Sequence, residues 1–329
     1  MNILITGGAG YIGSHVLKAL LERGGDKITV IDNFYSGSRD ALLALEGVGK
    51  FNFIKCDLAD TAHLREIFAS HKFDAIIHFA AYIEVFESMH NPLKYYLNNT
   101  ANTAGLIALA VEFGVERFIF SSTAATYGEP ENGVVCETSP QNPINPYGMS
   151  KLMSEQILKD AAAANDKFKF GILRYFNVAG ASSDSLIGQN YPNATHLIKV
   201  ATQTITGKRA NMSIFGRDYE TRDGTCIRDY IHIEDLASAH LAVLDFLGDN
   251  DSDIFNVGYG HGFSVLEVIQ MAKKVSGVDF EVIDAPRRLG DPAVLIADSS
   301  KLRNLTSWTP KKDSLETIIA SALAWERKI

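Results

Sequence analysis

In the first half of the chain, short apolar runs alternate with amphipathic stretches. Buried parallel strands joined by crossover helices produce this pattern, because both faces of such a sheet are covered. The predicted strands are Asn2–Thr6, Lys27–Asp32, Phe51–Lys55, Phe73–Phe79, Arg117–Ser121 and Phe170–Tyr175. The predicted helices are Ile12–Arg23, Ala62–Ser70, Thr100–Phe113 and Tyr147–Asn165. The alternation predicts an α/β fold with a Rossmann-type, doubly wound parallel sheet, whose ligands bind at the carboxyl ends of the strands.

The pattern changes near Phe176–Ala181. Gly180–Thr195 is polar and lacks a clear period, which is typical of a loop. Later elements are predicted at His196–Thr206, Ile233–Leu247, Ile254–Val257 and Ser264–Ser276. We therefore expect a cofactor-binding domain over residues 1–178, to which elements of about 230–257 return, and a smaller C-terminal α/β substrate domain over 179–329.

Composition narrows the classes of function. The chain has 329 residues, of which 46% are hydrophobic and 21% charged, as in ordinary globular proteins. Its net charge of −8 gives no electrostatic reason to expect nucleic acid or an anionic membrane as a partner.

Cysteine usage and the apolar runs indicate a cytoplasmic protein. Three widely spaced cysteines, Cys56, Cys136 and Cys226, form neither a disulfide framework nor a zinc motif, so no metal is expected. Met1 leads directly into an apolar strand without the features of a signal peptide. We find no apolar run long enough to predict a membrane span.

A glycine-rich stretch, Gly7 to Gly13, lies between the first strand and the first helix. Gly7, Gly10 and Gly13 allow a tight turn and close approach of the backbone, and the helix N-terminus can bind a pyrophosphate. Asp32 ends the second strand, where a carboxylate can bind ribose hydroxyls and would repel a 2′-phosphate, which favours NAD over NADP. Asp57 follows the third strand and is placed to meet the adenine edge, although either acid could also be a solvated strand end.

Tyr147 and Lys151 open a predicted helix, and residues four apart lie on one helix face. A phenol has an ordinary pKa of about 10, and lowering it by about three units requires about 4 kcal/mol. One cation about 5 Å away contributes roughly 3.3 kcal/mol at an effective dielectric of about 20, while burial opposes it. Thr123 closes a strand and adds a hydroxyl, although alone it could simply cap a turn. Together, Thr123, Tyr147 and Lys151 indicate a nicotinamide redox site.

Motifs along nearly the whole chain, from Asn2 to Trp325, match those of a known enzyme family. They are Gly7–His15, Asp32-Asn33, His78–Ala81, Ser121–Ala124, Tyr147–Lys151, Arg174–Asn177, Gly224–His232 and Pro286–Pro292. The chain resembles the extended short-chain dehydrogenases/reductases and, among them, the UDP-glucose 4-epimerases. It is most similar to bacterial members that handle both UDP-glucose and UDP-N-acetylglucosamine.

The resemblance implies a tightly held NAD, a UDP-hexose substrate and a homodimer formed through the helices Thr100–Phe113 and Tyr147–Asn165. It implies that Tyr147 is the acid/base, that Thr123 hydrogen bonds or relays the proton, and that Lys151 holds the nicotinamide ribose and lowers the phenol pKa. The implied cofactor contacts are Gly7, Gly10, Tyr11, Ile12, Gly13, Asp32, Asn33, Ser36, Asp57, Leu58, Phe79, Ala80, Ala81, Asn98, Tyr147, Lys151 and Phe176. The implied substrate contacts are Thr123, Asn177, Leu197, Arg228, Arg288, Asp291 and Leu295.

Five positions depart from the pattern of the resembled family. Ile83 stands where many members have Lys or Ser, and Phe86 stands where many members have Gly. The apolar side chain of Ile83 therefore cannot bind a phosphate. His196 takes a position often held by Asn, and Thr123 replaces the commoner Ser, which keeps the hydroxyl. At the position of Leu295, a bulky Tyr blocks the N-acetyl group in the family and a small residue admits it, and Leu is intermediate in size. Leu295 therefore favours acceptance of both acetylated and non-acetylated UDP-hexoses.

Other functions of the same fold stay open at this point. A dehydratase or decarboxylase would need acidic residues after Thr123, where Ala124 and Ala125 stand. A net NAD(P)H-dependent reductase would consume cofactor stoichiometrically. A non-catalytic NAD-sensing protein would usually lack Tyr147 or Lys151, and this chain has both.

Overall fold

A computed structural model describes residues 1–191, 195–288 and 290–329. The strands are β1 (Asn2–Thr6), β2 (Lys27–Asp32), β3 (Asn52–Lys55), β4 (Ala75–His78), β5 (Arg117–Thr123), β6 (Val134–Val135), β7 (Lys169–Tyr175), β8 (Asn177–Ala179), β9 (Met212–Phe215), β10 (Ile227–Arg228), β11 (Tyr230–His232), β12 (Asp253–Val257), β13 (Phe263–Ser264), β14 (Val282–Ala285) and β15 (Val294–Ala297).

Helices separate most of these strands. They are α1 (Tyr11–Arg23), α2 (Arg39–Glu46), α3 (Thr61–Ser70), α4 (Val85–His90), α5 (Pro92–Tyr95), α6 (Asn102–Glu112), α7 (Pro146–Ala163), α8 (Leu197–Ile205), α9 (Ile233–Phe246), α10 (Val265–Ser276), α11 (Ser300–Leu305) and α12 (Leu315–Lys328). A π-helical segment, Tyr96–Ala101, joins α5 to α6.

The central sheet is parallel and has seven strands in the order β12-β7-β5-β4-β1-β2-β3. The strand order reverses beside β1, because β2 lies on one side of β1 and β4 on the other. This is the topological switch point at which ligands of open parallel sheets bind. The structure confirms the predicted doubly wound Rossmann-type sheet.

Apolar residues cover both faces of this sheet, as the unbroken apolar runs of its strands predict. Ile3 and Ile5 of β1 belong to the larger core, which includes Val16 and Leu17 of α1. Leu4 points to the opposite face and joins a second core with Leu106 of α6. Alternate residues of one strand therefore anchor helices on opposite faces, which fixes the strand ends relative to the helices.

Beside the central sheet, the described residues form three smaller sheets, mostly from the second half of the chain. Strands β13, β10, β15 and β6 make a four-stranded sheet, while β11 pairs with β8 and β14 with β9. Two elements of the predicted substrate half lie on the central sheet: β12 pairs with β7, and α9 packs against α1. Conversely, β6 from the first half pairs with β15.

The sequence patterns located most elements within two residues of their observed bounds but missed several helices. The helices that we did not predict are α2, α4, α5, α11 and α12. The loop predicted at Gly180–Thr195 contains Pro192, Asn193 and Ala194, and the motif Pro286–Pro292 contains Leu289. These four residues lie outside the described part of the chain.

Candidate active site

A cleft of about 930 Å³ runs along the carboxyl ends of the central strands and continues toward the smaller sheets. Every residue predicted to bind cofactor or substrate lines this cleft except Lys151, which lies behind its wall. Residues as distant in sequence as Gly7 and Leu295 are thus brought to one cavity. The lining contains Gly7, Gly10, Tyr11, Ile12, Gly13, Asp32, Asn33, Ser36, Asp57, Leu58, Phe79, Ala80, Ala81, Asn98, Thr123, Tyr147, Phe176, Asn177, Leu197, Arg228, Arg288, Asp291 and Leu295.

The glycine loop between β1 and α1 has no room for a side chain at Gly7 or Gly13. Gly7 has a φ of 72°, and a Cβ there would lie 2.6 Å from the backbone nitrogen of Ala80. A Cβ on Gly13 would collide with the carbonyl oxygen of Gly7. Gly10 caps α1 without a side-chain hydrogen bond, so no cap side chain occupies the first N–H groups of the helix. This cradle fits the pyrophosphate of a dinucleotide.

Asp32 anchors the glycine loop to the end of β2. Its Oδ2 accepts a hydrogen bond from the Ala9 N–H at 3.0 Å, and its Oδ1 accepts one from the Phe34 N–H at 2.7 Å. Burial raises the pKa of Asp32, and these two backbone bonds oppose the shift. The Asn33 amide donates to Asp57 Oδ2 at 2.8 Å, so the residue that follows Asp32 is bonded to the second predicted adenosine-side acid.

Tyr147 lies in the first turn of α7, where the Asn145 side chain accepts a hydrogen bond from the Gly148 N–H. Its side chain is buried, and the Tyr95 ring packs edge-on against it with centroids 6.4 Å apart. Burial raises the pKa of Tyr147 well above its usual value, Tyr175 adds to the rise, and the Thr123 side chain lowers it. Burial thus opposes the lowering of the phenol pKa that a nearby cation would cause, so a second positive charge is needed to favour the base form.

Lys151 lies one turn further along α7 and is 3% exposed. Its ammonium donates to the Ser121 carbonyl oxygen at 2.8 Å and lies 4.8 Å from the centroid of the Phe120 ring. Burial lowers the pKa of Lys151 to about 7, while Glu155 opposes that shift. A low-dielectric site favours the neutral forms of both the phenol and the amine, which explains the opposite directions of the two shifts.

The far wall of the cleft comes from the smaller sheets. Arg228 and Leu295 face each other in the register of β10 and β15. The Arg228 guanidinium lies 3.7 Å from Asp291 Oδ1, so an acid already balances part of its charge. Arg288 stacks over the Phe215 ring, with the guanidinium carbon 3.6 Å from the ring centroid. Two guanidinium groups on one wall suit an oxyanion ligand such as a diphosphate.

His196 precedes α8 and lines the same wall. The Gln189 side-chain nitrogen lies 3.1 Å from His196 Nδ1. Since an amide nitrogen can only donate, Nδ1 accepts and the ring proton sits on Nε2. Burial lowers the pKa of His196, which keeps the ring neutral. Among the described residues, we find no hydrogen-bond partner for Nε2.

A buried ion pair supports the Gln189 backbone. The Lys199 ammonium donates to the Gln189 carbonyl oxygen and to Glu326 Oε2 of α12, at 2.6 Å each. Lys208 donates to the other oxygen of Glu326 at 2.9 Å. The last helix of the described chain therefore holds a residue of the cleft wall.

Asn99 of the π-helical segment holds the opposite rim. Its side-chain oxygen accepts from the Tyr82 N–H at 2.9 Å, and its nitrogen donates to the Tyr82 carbonyl oxygen at 3.0 Å. The same nitrogen lies 3.1 Å from Ser150 Oγ of α7. The segment after β4 is thus bonded to the helix that carries Tyr147.

Several cleft residues were not predicted from the sequence. Tyr35, Tyr82, Gln189 and Phe215 all line the cleft. Tyr35 directly follows the Asp32–Phe34 turn, and that proximity could have signalled its position. Gln189 and Phe215 belong to no motif, and their positions depend on long-range packing.

Across the described residues, none of the helices combines the length and the apolar character needed to cross a lipid bilayer.

Comparisons with known proteins agree with this geometry. Residues 3–258 match the NAD dependent epimerase/dehydratase family. The chain is 48% identical to a UDP-glucose 4-epimerase of Azospirillum brasilense over 329 residues, which are 100% of this chain and 92% of the relative.

Two solved structures extend the comparison. The UDP-Glc/GlcNAc 4-epimerase of Campylobacter jejuni is 61% identical, with a TM-score of 0.88 over 100% of this chain and 99% of that chain. The UDP-glucose 4-epimerase of Bifidobacterium longum, in complex with NAD+ and UDP, is 36% identical, with a TM-score of 0.96 over 100% of this chain and 98% of that chain. These likenesses confirm the predicted family, the enzyme class and the cofactor NAD. The chain belongs to the NAD-dependent epimerase/dehydratase family.

Proposed function

We propose that this protein is a UDP-hexose 4-epimerase that interconverts UDP-glucose and UDP-galactose through transient oxidation at C4. The observation that carries the proposal is the set of Thr123 and Tyr147 in the cleft with Lys151 behind its wall, beside a glycine cradle that fits NAD. Ala124 and Ala125 follow Thr123, so the acid and base that an elimination needs are not supplied there. Relatives at 48% and 61% identity carry the name 4-epimerase, which supports the same reaction.

In the proposed reaction, Tyr147 accepts the proton of the sugar 4-hydroxyl and later returns it. Bound NAD supplies the hydride acceptor and donor. The 4-keto sugar then turns over, so that its opposite face is reduced. A positively charged cofactor near Tyr147 would offset the rise in phenol pKa caused by burial and would favour the base form.

Thr123 and Lys151 position and tune the phenol. The Thr123 side chain lowers the pKa of Tyr147 and offers a hydroxyl through which the proton can move. We propose that Lys151 binds the nicotinamide ribose and that the cofactor's polar groups favour its charged form, because such groups reduce the penalty of burying the ammonium.

NAD would be held by the residues that line the cradle and the strand ends. Gly7 to Gly13 would bind the pyrophosphate, Asp32 and Asn33 the ribose, and Asp57 and Leu58 the adenine side. On the nicotinamide side we assign Phe79, Ala80, Ala81, Asn98 and Phe176, and at the ribose rim Ser36.

The opposite wall would bind the UDP-sugar. Arg228 and Arg288 supply the positive charge for the diphosphate, and Asp291 must give up part of its contact with Arg228 when that ligand arrives. Asn177 and Leu197 complete the wall near the sugar. The solved relative from Bifidobacterium longum was crystallised with NAD+ and UDP, which supports this division of the cleft.

Assay of UDP-galactose with purified protein and no added NAD tests the reaction. Formation of UDP-glucose without net absorbance change near the NADH band is the expected result. Stoichiometric oxidation or reduction of added cofactor would instead support a reductase, and loss of the 4-hydroxyl would support a dehydratase.

We further propose that the enzyme converts UDP-N-acetylglucosamine to UDP-N-acetylgalactosamine. Leu295 is 7% exposed and faces Arg228 across the β10–β15 pair. A larger side chain there would narrow the part of the cleft that is proposed to bind the sugar. The Campylobacter jejuni relative is named for both UDP-Glc and GlcNAc.

Comparable turnover of the acetylated and non-acetylated substrates is expected for the natural protein. Leu295→Tyr should reduce kcat/KM for UDP-N-acetylglucosamine much more than for UDP-glucose, because the added volume meets the N-acetyl group. Leu295→Met keeps the size and should leave the ratio unchanged. Undetectable conversion of the acetylated substrate by the natural protein would refute the broad specificity.

The proposal also covers the domain organisation and the cellular location of the protein. We infer a cofactor-binding domain over residues 1–178, to which elements of about 230–257 return, and a mainly UDP-sugar-binding domain over 179–329. The pairing of β12 with β7 supports that return. We also propose a cytoplasmic location, consistent with the three free cysteines.

We propose a homodimer formed around the face of α7. Leu93, Leu97 and Met153 are 72%, 67% and 43% exposed, and the segments that carry them pack together. Sedimentation should report a dimer that Leu93→Glu with Leu97→Glu dissociates, whereas Leu305→Glu, at another exposed leucine, should not. A monomeric natural protein would refute the dimer.

A further inference from the structure

Two tyrosines meet across the cofactor side of the cleft. Tyr35 follows β2 and Tyr82 follows β4, and their ring centroids lie 4.6 Å apart at an interplanar angle of 58°. Since β1 lies between β2 and β4 in the sheet, this contact spans the carboxyl end of β1, where the glycine loop begins. Both rings line the cleft.

Lys94 of α5 fixes this contact. Its ammonium lies 4.6 Å from the Tyr82 ring centroid and 5.3 Å from that of Tyr35. It also donates to the Tyr35 hydroxyl at 3.0 Å and to Glu87 Oε1 at 2.5 Å. The ammonium is therefore shared between two rings that come from different loops, an arrangement that cation–π attraction and the ion pair both stabilise.

The other residues around Lys94 are themselves held. The Tyr95 hydroxyl bonds to Glu87 Oε2 at 2.9 Å, and Asn99 bonds both backbone groups of Tyr82. On the other side, Phe34 has a φ of 62°, and its N–H is held by Asp32. The backbone of Tyr82 and that of Phe34 are thus fixed by hydrogen bonds, whereas the side chain of Tyr35 is 55% exposed.

The cleft continues on both sides of this contact. Asp57 and Leu58 lie on the β3 side, and Thr123 and Tyr147 lie on the β5 side. A dinucleotide that reaches from Asp57 to Tyr147 has to pass the Tyr35–Tyr82 contact. Gly7, Gly10 and Gly13 offer it only backbone there.

We propose that Tyr35, Tyr82 and Lys94 form a strap across the bound dinucleotide. These three side chains must separate before NAD enters or leaves. The strap raises the activation barrier for both association and dissociation of NAD, and it does not contact the reacting atoms. The proposal rests on NAD occupying the cleft, as in the proposed function, and it assigns the retention of NAD to residues outside the glycine loop.

Exchange of labelled NAD tests the strap. Full-length protein loaded with radiolabelled NAD is chased with excess unlabelled NAD, and retained label is followed over time. Stopped-flow fluorescence measures the association rate of NAD with protein stripped of cofactor. The variants are Tyr35→Leu, Tyr82→Leu and Lys94→Met, and Lys55→Met, at an exposed lysine near Asp57, is the charge-matched control.

A strap predicts that each of the three variants raises both the dissociation and the association rate at least fivefold, so that Kd changes by less than threefold. Turnover at saturating NAD should stay within twofold of the natural protein, and Lys55→Met should leave both rates unchanged. Faster dissociation with unchanged association would indicate direct contact with NAD and would overturn the strap.

Two further outcomes separate this inference from the proposed function. If the natural protein binds labelled NAD and the variants exchange it at the natural rate, the strap is wrong and the NAD site stands. If the natural protein takes up no labelled NAD after its resident cofactor has been stripped, the NAD site and the strap are both wrong. Thermal unfolding of each variant guards against misfolding, and the leucine and methionine replacements retain most of the apolar bulk.

Discussion

The two walls of the cleft are built in different ways. The cofactor wall consists of consecutive strand ends of one parallel sheet and a glycine loop, and its contacts are mostly backbone, as at Asp32 with Ala9 and Phe34. The sugar wall joins short strands and loops, and its contacts are side-chain pairs, as at Gln189 with His196 and Lys199 with Glu326. The cofactor wall therefore depends on the main core, whereas the sugar wall depends on individual charges and hydrogen bonds.

This difference suits the two proposed ligands. A cofactor that stays bound through many turnovers can use a rigid cradle whose geometry the sheet sets. A substrate that must bind, turn over and leave is better served by a wall with adjustable partners, such as Arg228, which already has Asp291 to return to. Variants on the two walls should therefore separate catalysis, stability and substrate affinity.

Tyr147→Phe should produce the largest effect. We expect kcat to fall about a thousandfold with little change in KM, because general acid–base catalysis contributes on the order of 10²–10⁴ and is used mainly in the transition state. Steady-state kinetics with UDP-galactose measure it, and NAD content should be unchanged. Tyr175→Phe, at a half-buried tyrosine that also lines the cleft, should cost less than about tenfold. A near-normal kcat for Tyr147→Phe would refute its role.

Glu326→Gln should be the most damaging change for the sugar wall. Lys199 is 5% exposed, and removing its partner leaves a buried charge, which costs about 3–5 kcal/mol of unfolding free energy. Urea unfolding measures the loss. UDP should bind more weakly because the Gln189 carbonyl loses its support, while NAD affinity should persist.

Glu316→Gln serves as the control for this change. Its carboxylate is 58% exposed and lies 3.6 Å from Lys274, so its removal should change stability little. Equal losses for the two variants would contradict the importance of the buried pair.

Gln189→Glu should make substrate binding depend on pH. A carboxylate can only accept, so the proton must move to His196 Nδ1, and the negative charge raises the histidine pKa. An imidazolium attracts a diphosphate, so UDP should bind the variant roughly tenfold more tightly at pH 6 than at pH 8. Calorimetry should show a flatter profile for the natural protein and for Gln189→Met. An equally flat profile for Gln189→Glu would contradict the tautomer assignment.

Lowering the pH should reduce the unfolding free energy through buried histidines of the cofactor wall, by a smaller amount than the changes above. His78 bonds to Thr6 and Thr103 through its two ring nitrogens, and burial lowers its pKa to about 3. The unfolded chain binds a proton below about pH 6.5 and the folded chain does not, so this stabilisation is complete above pH 6.5 and declines as the pH falls toward 3. The loss is about 1.4 kcal/mol for each pH unit in that window. Urea unfolding at pH 7.5 and 5.5 measures it, and equal free energies would contradict the argument.

The contrast between the walls also explains what the sequence could predict. The strands and the glycine loop of the cofactor wall follow from local periodicity and turn chemistry, and the structure confirms the sheet. The facing of Arg228 and Leu295 depends on pairing between β10 and β15, which no local pattern encodes. The helix α2 was missed although Ser38 caps it, because it is short and lies between glycines.

The ionisation states were the least predictable part of the site. The spacing of Tyr147 and Lys151 placed them on one helix, but the depth of burial that governs both pKa values arises from Phe120, Tyr95 and other residues far away in sequence. Without that depth, the balance between attraction by a cation and desolvation by burial could not be calculated.

The π-helical segment Tyr96–Ala101 makes the rim sensitive to the number of residues in the chain. Each α-helical residue advances by about 100° around the axis, so a one-residue deletion that restored an α-helix would rotate Asn98 and Asn99 by about that angle. Asn98 would leave the cleft, and Asn99 would release both backbone groups of Tyr82. A substitution removes one contact, whereas a single deletion would remove the whole set. We therefore expect related sequences to vary in side chains here and to conserve length.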